Sequence, residues 1–241
     1  MRWPARPGFR PSAERPAGPG LTMITNMGFR GWPAEAIDFY DGLEEDNSKS
    51  YWQAHKAAYE QAVLRPMEEL LDDLAAQYGP GRIFRPYRDV RFSADKSPYK
   101  TAMSALLGRG GRKSKSRSYY FHIESEGRSM LAGGLYDPSP AELAKLRMIL
   151  AEDAAPFRKI IEKPEFRRYF GAPAGESLKT APQGYAKDHP DIGLLRMKQF
   201  IAVHQLADKA VLSEDLVQHT LTVFKAMKPF VTYLESALEA N

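Results

Sequence analysis

The sequence predicts a single α+β domain in which an antiparallel sheet packs against N- and C-terminal helices. Apolar residues recur at helical spacing in the first third of the chain and near its C-terminus. Between these regions, residues 119–124 alternate in polarity, and after a turn at 125–127 residues 129–136 return as the second arm of a β-hairpin. Helices, then a central hairpin with further strands, then helices again are characteristic of the α+β class.

Composition narrows the classes of function. The chain has 241 residues, 43% of them apolar, which is enough for a substantial core. The absence of cysteine excludes disulfides, thiolate metal sites and cysteine nucleophiles, and it fits a cytoplasmic protein. No apolar run approaches the ~20 residues of a membrane span, so we expect no membrane partner.

Residues 1–22 differ in composition from the rest of the chain. They hold five prolines, three glycines, four arginines and one acidic residue, without apolar periodicity. We expect a disordered extension there and a single domain over residues 23–241, with Met23 or Met27 as an alternative start.

Helix boundaries are marked by capping and proline signals. Pro33 opens the first predicted helix, and Asn47 or Ser48 can cap the second. The sequence Ser-Pro-Ala-Glu at 139–142 is a capping box, and Ser213 is expected to cap the C-terminal helix. Further helical segments are predicted at 156–162 and 164–170, and the C-terminal helix is expected to continue from Pro229.

The remaining segments are predicted as strands and one long loop. Residues 83–92 can form a strand interrupted by Pro86, and residues 198–205 form the last strand. Gly133 and Gly134 within the hairpin indicate a bulge or a close approach to the backbone. Residues 171–190 have no period and form a loop whose length is often associated with function.

Positive charge is concentrated in one stretch of the chain. Residues 82–117 contain eleven Lys and Arg against two Asp, whereas the whole chain carries only +4. The rest of the protein is therefore net acidic, and a single basic surface on such a protein indicates an anionic partner.

The same stretch resembles a known family signature. The sequence RDVRFSADKSPYKT at 88–101 resembles that of an uncharacterised family, domain of unknown function 2461. Further matches lie at 110–114, 119–124, 132–136, 178–185, 188–191 and 194–200. The second helix departs from the pattern, with Tyr51, Trp52 and His55 where Trp-Phe and a later Asn are expected. The resemblance implies a single α+β domain from about residue 29 onward and brings no established activity.

Two basic segments lie in this stretch, residues 88–101 and 109–117. Their cations are candidates to line a pocket for an anion, because grouped guanidinium and ammonium charges repel one another until an anion binds. The alternative is a solvated run of charges in which Asp89 and Asp95 pair internally. Residues 110–114 can offer backbone N–H groups to a phosphate, but they lack the spacing of an ATP-binding P-loop and can equally form a flexible loop. The candidate ligand-binding residues are Arg88, Arg91, Ser93, Lys96, Tyr99, Lys100, Arg112, Lys113, Gly133, Gly134, Tyr136, Lys179, Tyr185, Arg196 and Lys198.

Asp89 and His122 are the candidate acid–base catalysts. Asp89 lies between two arginines and should stay ionised, which suits positioning better than proton donation. His122 lies in mid-strand, where a structural hydrogen bond is the alternative role. His189 is expected to cap the short helix that follows it, and no metal site is predicted. Ser93 has no evident base partner.

Three classes of function remain open. The favoured one is a pocket for a small anionic ligand, phosphorylated or carboxylated, with or without catalysis. The second is a single-stranded nucleic-acid binder, because the cations alternate with Phe92, Tyr99, Tyr119 and Tyr120. The third is a structural or protein-interaction module. The sequence assigns no cofactor, reaction or oligomeric state.

Overall fold

In the part of the chain that the structure describes, five antiparallel strands form one sheet in the order β1-β2-β3-β4-β5, so that strands adjacent in the chain are adjacent in the sheet. The structure, a computed structural model, describes residues 28–91, 93–108 and 118–239. The strands are β1 (Gly81–Ile83), β2 (Met103–Leu107), β3 (Ser118–Ile123), β4 (Met130–Leu135) and β5 (Phe200–Gln205). With the helices around them, they confirm the predicted α+β fold.

Along the chain, helices come both before and after the strands of the sheet. They are α1 (Ala34–Glu45), α2 (Lys49–Ala58), a π-helical segment (Tyr59–Leu64), α3 (Arg65–Tyr78), α4 (Pro140–Glu152), α5 (Ala155–Ile161), α6 (Pro164–Phe170), α7 (Ile192–Leu195), α8 (Asp208–Val211) and α9 (Leu216–Glu239). Ser48 caps α2, and Ser139 and Glu142 form both hydrogen bonds of the predicted capping box. Pro229 lies inside α9, so the predicted continuation of the C-terminal helix past this residue is confirmed.

The hydrophobic core lies on one face of the sheet. Phe121 and Ile123 of β3 and Leu131 of β4 are fully buried there, as strand alternation requires. Helix α9 covers this face, with the Phe224 ring 4.7 Å from that of Tyr119. From the N-terminal side, the Trp32 ring stacks on Phe121 at 5.8 Å. Because the helices are on this side, the alternate residues of the same strands lie on the opposite face.

The prediction of a strand over residues 83–92 is wrong. The strand β1 ends at Ile83, and Pro86 lacks the N–H that a continuing ladder would need. The chain instead closes a loop through backbone bonds from Lys100 to Pro86 (2.8 Å) and from Arg88 to Pro98 (2.9 Å). We call residues 84–100 the charged loop. The strand β2, which follows it, was not predicted at all, because Met, Ala and Leu favour helices and its burial does not alternate.

The predicted hairpin and last strand are confirmed, with boundaries that differ from the predicted ones by a few residues. The strand β5 begins at Phe200 rather than at residue 198. Gly133 and Gly134 pair one-to-one with both neighbouring strands, so the alternative of a bulge is wrong. A close approach is confirmed, because a Cβ on Gly134 would lie 2.2 Å from the Phe200 carbonyl oxygen. Residues 171–190 form the predicted loop, in which Ala174 bridges Ile201 of β5 and Ser177 bridges Met197, just before β5.

Candidate functional site

A cavity of about 520 Å³ lies on the face of the sheet opposite the core. Its floor comes from the open-face residues of β2 to β5, and Phe84 and Lys100 of the charged loop form one wall. Tyr136 and Asp137, which follow β4, lie at the exposed rim. The described lining residues are Phe84, Lys100, Ser104, Leu106, Tyr120, His122, Met130, Ala132, Gly133, Gly134, Tyr136, Asp137 and Ile201.

Strand pairing sets three polar side chains against one another on the cavity floor. Ser104 of β2 lies directly opposite His122 of β3, so their side chains project to the same face. The Ser104 Oγ lies 2.9 Å from the His122 Nδ1. The Tyr120 hydroxyl donates to Ser104 Oγ at 2.8 Å and lies 3.0 Å from the same imidazole nitrogen. Two hydroxyl groups therefore converge on one ring nitrogen.

A carboxylate binds the other side of the imidazole. Glu124 Oε2 lies 2.8 Å from His122 Nε2, and a carboxylate accepts the Nε2 proton. In neutral His122 this places the proton on Nε2 and leaves the Nδ1 lone pair facing the hydroxyl groups. The row Tyr120–Ser104–His122–Glu124 can thus pass a proton between its hydroxyl end and the imidazole. We call these four residues the hydroxyl–imidazole row.

Arg128 holds the carboxylate end of this row. Its Nε lies 2.9 Å from Glu124 Oε1, and the guanidinium also pairs with Glu44 and, at 3.2 Å, with Glu126. Ser129 fixes the turn below, because its hydroxyl accepts the Glu124 N–H and donates to the Glu124 carbonyl. The position of Glu124 is therefore set from both the side chain and the backbone.

Lys100 supplies positive charge to the cavity wall. Its ammonium lies 5.3 Å from the centroid of the Phe84 ring, a cation–π distance. Burial, aided by the nearby Arg85, lowers the pKa of Lys100. Burial also raises the pKa of Tyr120, which keeps its hydroxyl protonated as a hydrogen-bond donor. The cavity therefore combines a partly desolvated cation, an apolar wall and a polar floor.

The other predicted cations of the charged loop pair within the loop itself. Arg88 contacts Asp95, and Arg91 contacts Asp89 at 2.7 Å. Lys96 bonds the Val90 carbonyl at 3.0 Å, and Ser93 is half-buried without lining the cavity. The hydrogen bonds from Arg91 lower the pKa of Asp89 to about 2. Asp89 is thus an exposed, ionised partner of Arg91 and does not line the cavity.

Tyr99 has a packing role. Its ring stacks on Trp52 with centroids 4.3 Å apart, and its backbone N–H donates to Asn47 Oδ1 at 3.0 Å. These contacts anchor the charged loop to α2. They also explain how Lys100, the next residue, is held at the cavity wall.

The predicted second cationic wall lies away from the cavity. Lys179 is exposed and Tyr185 is half-buried on the long loop. Arg196 Nε donates to the Leu178 carbonyl at 2.6 Å, and Lys198 pairs with Glu176 at 2.9 Å. All four are absent from the described cavity lining.

The structure thus unites Lys100, His122, Gly133, Gly134 and Tyr136 of the sequence candidates in one cavity. Arg112, Lys113, Phe92 and the extension at 1–22 lie outside the described residues.

Sequence reasoning missed Ser104 and Phe84, considered Tyr120 only as a base-stacking residue and gave Glu124 no role. The alternation of β3 had placed Tyr120 and Glu124 on the face of His122, and that signal was available. Ser104 could not be found because β2 was not recognised.

The prediction that His189 caps the following helix is wrong, because the N-cap residue of α7 is Asp191 and no side chain caps this helix. His189 Nδ1 instead accepts the N–H of Asp191 at 3.0 Å, just before the helix. Among the described residues, no group of three or more His, Cys, Asp or Glu side chains is arranged to hold a metal ion. None of the described helices is both long enough and apolar enough to cross a membrane.

These features define a single-domain α+β protein with a cavity on the open face of an antiparallel sheet. A family model described as conserved hypothetical protein (DUF2461) matches residues 35–233. The chain belongs to that family, as the resemblance of residues 88–101 and the later segments indicates. No curated protein and no solved structure matches the chain significantly.

Proposed function

We propose that the open-face cavity binds a small organic molecule bearing a carboxylate or phosphate group, and that the Lys100 ammonium pairs with that group. The observation that carries this proposal is the position of Lys100. It is a partly desolvated cation on an apolar wall, and its contacts within the described chain are with the Phe84 ring rather than with a carboxylate. An anion bound there would restore the stabilisation that Lys100 loses on leaving water.

The dimensions and lining of the cavity support a small ligand. A volume of about 520 Å³ falls within the range of roughly 300–1,000 Å³ that is usual for small-molecule sites. Leu106, Ala132 and Ile201 offer an apolar surface for the body of the molecule, and the hydroxyl–imidazole row offers convergent polar groups. Asp137 also lines the cavity, but it lies at the exposed rim, where solvent screens its charge.

The structure gives little support to the nucleic-acid alternative. A single-strand platform needs aromatic rings exposed on one surface. Tyr99 is buried against Trp52, and Tyr119 packs against Phe224 and Tyr78 on the core face. Tyr120 lies on the cavity floor. These three rings occupy three different environments and cannot stack successive bases.

Calorimetric titration with phenyl phosphate, benzoate and neutral benzyl alcohol tests the proposal. We expect at least one of the two anions to bind and the alcohol to bind at least ~10-fold more weakly, because a charge-assisted contact contributes about 1.5–3 kcal/mol. Lys100→Met keeps the length of the side chain and removes the charge, so it should reduce anion affinity to the level of the alcohol.

Lys96→Met is the matched control, since Lys96 is an exposed cation of the same loop outside the cavity lining. It should leave anion affinity unchanged within about twofold. Equal binding of the alcohol and the anions, or equal losses in the two variants, would refute the proposal.

A further inference from the structure

We propose that Ser104 is a nucleophile and that the cavity catalyses acyl transfer from small carboxylic esters to water. The inference of the nucleophile stands on the hydroxyl–imidazole row alone. Only the expectation that the preferred ester carries a second, anionic group rests on the proposed function of Lys100.

The row has the three parts that activate a hydroxyl group. Ser104 Oγ lies 2.9 Å from one imidazole nitrogen, and Glu124 lies 2.8 Å from the other. A nucleophile within hydrogen-bond reach of a base, with the base oriented by a third group, is the arrangement shared by serine hydrolases on unrelated folds. Here the serine faces Nδ1 and the carboxylate faces Nε2, and either nitrogen of imidazole can act as the base.

The scaffold holds these parts rigidly and next to open space. Ser104 and His122 are paired residues on adjacent central strands, so the sheet fixes their separation. Only 8% of Ser104 is exposed, yet the residue lines the cavity, so a bound ester could reach a hydroxyl group that is otherwise shielded from water. Arg128 and Ser129 in turn fix Glu124.

The chemistry balances without a cofactor. The Ser104 oxygen attacks the ester carbonyl carbon, and its proton passes to His122 Nδ1. The bond from the carbonyl carbon to the alcohol oxygen then breaks, and the proton on Nδ1 goes to the departing alkoxide. Water repeats the sequence on the acyl-serine, which releases a carboxylic acid and restores Ser104.

Tyr120 is placed to assist the attack. Its hydroxyl lies 2.8 Å from Ser104 Oγ, so it can donate to the carbonyl oxygen as that atom gains negative charge. Burial raises the pKa of Tyr120, which keeps the proton available for donation. Glu124 does not touch the substrate and acts as a positioning residue through His122.

A small alkyl fluorophosphonate, which carries no charge, tests the nucleophile directly. We expect one adduct per chain, mapped to Ser104 by peptide mass spectrometry, and none in Ser104→Ala. His122→Gln should slow labelling by at least ~100-fold, the lower range of general-base effects. Glu124→Gln should slow it less and change its dependence on pH. Ser97→Ala, which alters a hydroxyl group of the charged loop, should label as the wild type does. Labelling of the wild type that does not require Ser104 or His122 would overturn the inference.

A second variant covers the case in which Ser104→Ala misfolds. The chain has no cysteine, so Ser104→Cys introduces a single thiol at the site. If His122 is a base, this thiol should react with iodoacetamide at pH 7 at least ~10-fold faster than the thiol of Ser97→Cys, because the thiolate is the reactive form. The advantage should disappear in the double variant with His122→Gln. A cysteine at 104 that reacts no faster than one at 97 would overturn the inference.

The two proposals fail separately. Binding of benzoate or phenyl phosphate without labelling of Ser104 would refute the nucleophile and leave the anion site. Labelling of Ser104 without anion binding would refute the anion site and leave the nucleophile.

Discussion

The charged loop and the open face of the sheet differ in how visible they are in the sequence and in what their side chains do. The charged loop is conspicuous, with cations, carboxylates and aromatic rings close together. In the folded chain its carboxylates form ion pairs with arginines of the same loop, Arg88 with Asp95 and Arg91 with Asp89. Much of its charge is therefore engaged locally and in contact with solvent, where ion pairs contribute little.

The open face shows the opposite relation. Its strands look ordinary in the sequence, with one histidine and a few hydroxyl groups among apolar residues. Pairing of the strands nevertheless assembles Ser104, Tyr120 and His122 within 3.0 Å of one another. The comparison shows that strand pairing can gather scattered polar groups around a cavity, whereas the charges of a dense cluster can be taken up by pairing within the cluster.

The largest effect we predict concerns the rigid floor of the cavity. Gly134 has φ of 122°, and a Cβ there would lie 2.2 Å from the Phe200 carbonyl oxygen and 2.9 Å from the Phe230 ring. Gly134→Ala should therefore lower the free energy of unfolding by roughly 3 kcal/mol, measured by urea denaturation.

Gly127, in the turn between β3 and β4, is the matched control. It also has positive φ, at 68°, but a Cβ there meets no atom within 4 Å. Gly127→Ala should cost about 1 kcal/mol, the conformational strain alone. If the two variants lost the same free energy of unfolding, the close contact between Gly134 and Phe200 would add nothing to the cost. Gly134 would then not be required for the packing of the cavity floor.

The fold was more predictable from the sequence than the site. The capping box at Ser139 and the alternation of β3 are local signals, and both were read correctly. The strand β2 lacks such a signal, because its residues favour helices and only pairing with its neighbours makes it a strand. Ser104 was consequently missed, although it is the hydrogen-bond partner of His122, 18 residues further along the chain. Distances between side chains on different strands depend on how the whole sheet pairs, so they cannot be predicted from one segment of the sequence.

A second prediction compares a half-buried pair of histidines, His204 and His219, with the exposed ion pairs of the charged loop. His204 Nδ1 lies 3.1 Å from the Tyr169 carbonyl and so carries a proton, which leaves His204 Nε2 to accept from His219 Nε2 at 3.1 Å. Burial, followed by the charge of His204, lowers the pKa of His219. A folded-state pKa below the unfolded value means that the stabilisation is complete above about pH 6.5 and is lost as the pH falls.

The melting temperature should therefore decrease when the pH is lowered from 7 to 5. In His219→Gln this decrease should be smaller by about 2–4 °C. An unchanged pH profile in the variant would show that the imidazole pair does not contribute. His55→Gln is the control, since His55 is an exposed residue of α2.

A third prediction separates stability from binding at the cavity wall. Burial lowers the pKa of Lys100, so the folded protein disfavours its charge and becomes more stable as the pH rises toward the ordinary lysine range. Lys100→Met should raise the melting temperature of the free protein by about 2 °C while it abolishes anion preference. Scanning calorimetry of Lys100→Met beside Lys96→Met checks this. A fall in melting temperature on replacing Lys100 would mean that its cation–π contact with Phe84 outweighs its desolvation.

The smallest effect should come from the most conspicuous residues of the sequence. Asp89 and Asp95 have pKa values of about 2, lowered by hydrogen bonds from Arg91 and from Ser97 respectively. Because these folded-state values lie below the ordinary aspartate range, their contribution is present above about pH 4 and is lost as the pH falls toward 2. Both carboxylates are exposed, so water and salt screen what they contribute at neutral pH. Asp89→Asn should accordingly leave the melting temperature at pH 7, the affinity for benzoate or phenyl phosphate and the labelling of Ser104 unchanged within error. A loss of anion affinity or of labelling in Asp89→Asn would contradict the distinction between the two regions, because it would show that the charged loop acts on the cavity beyond holding Lys100 in place.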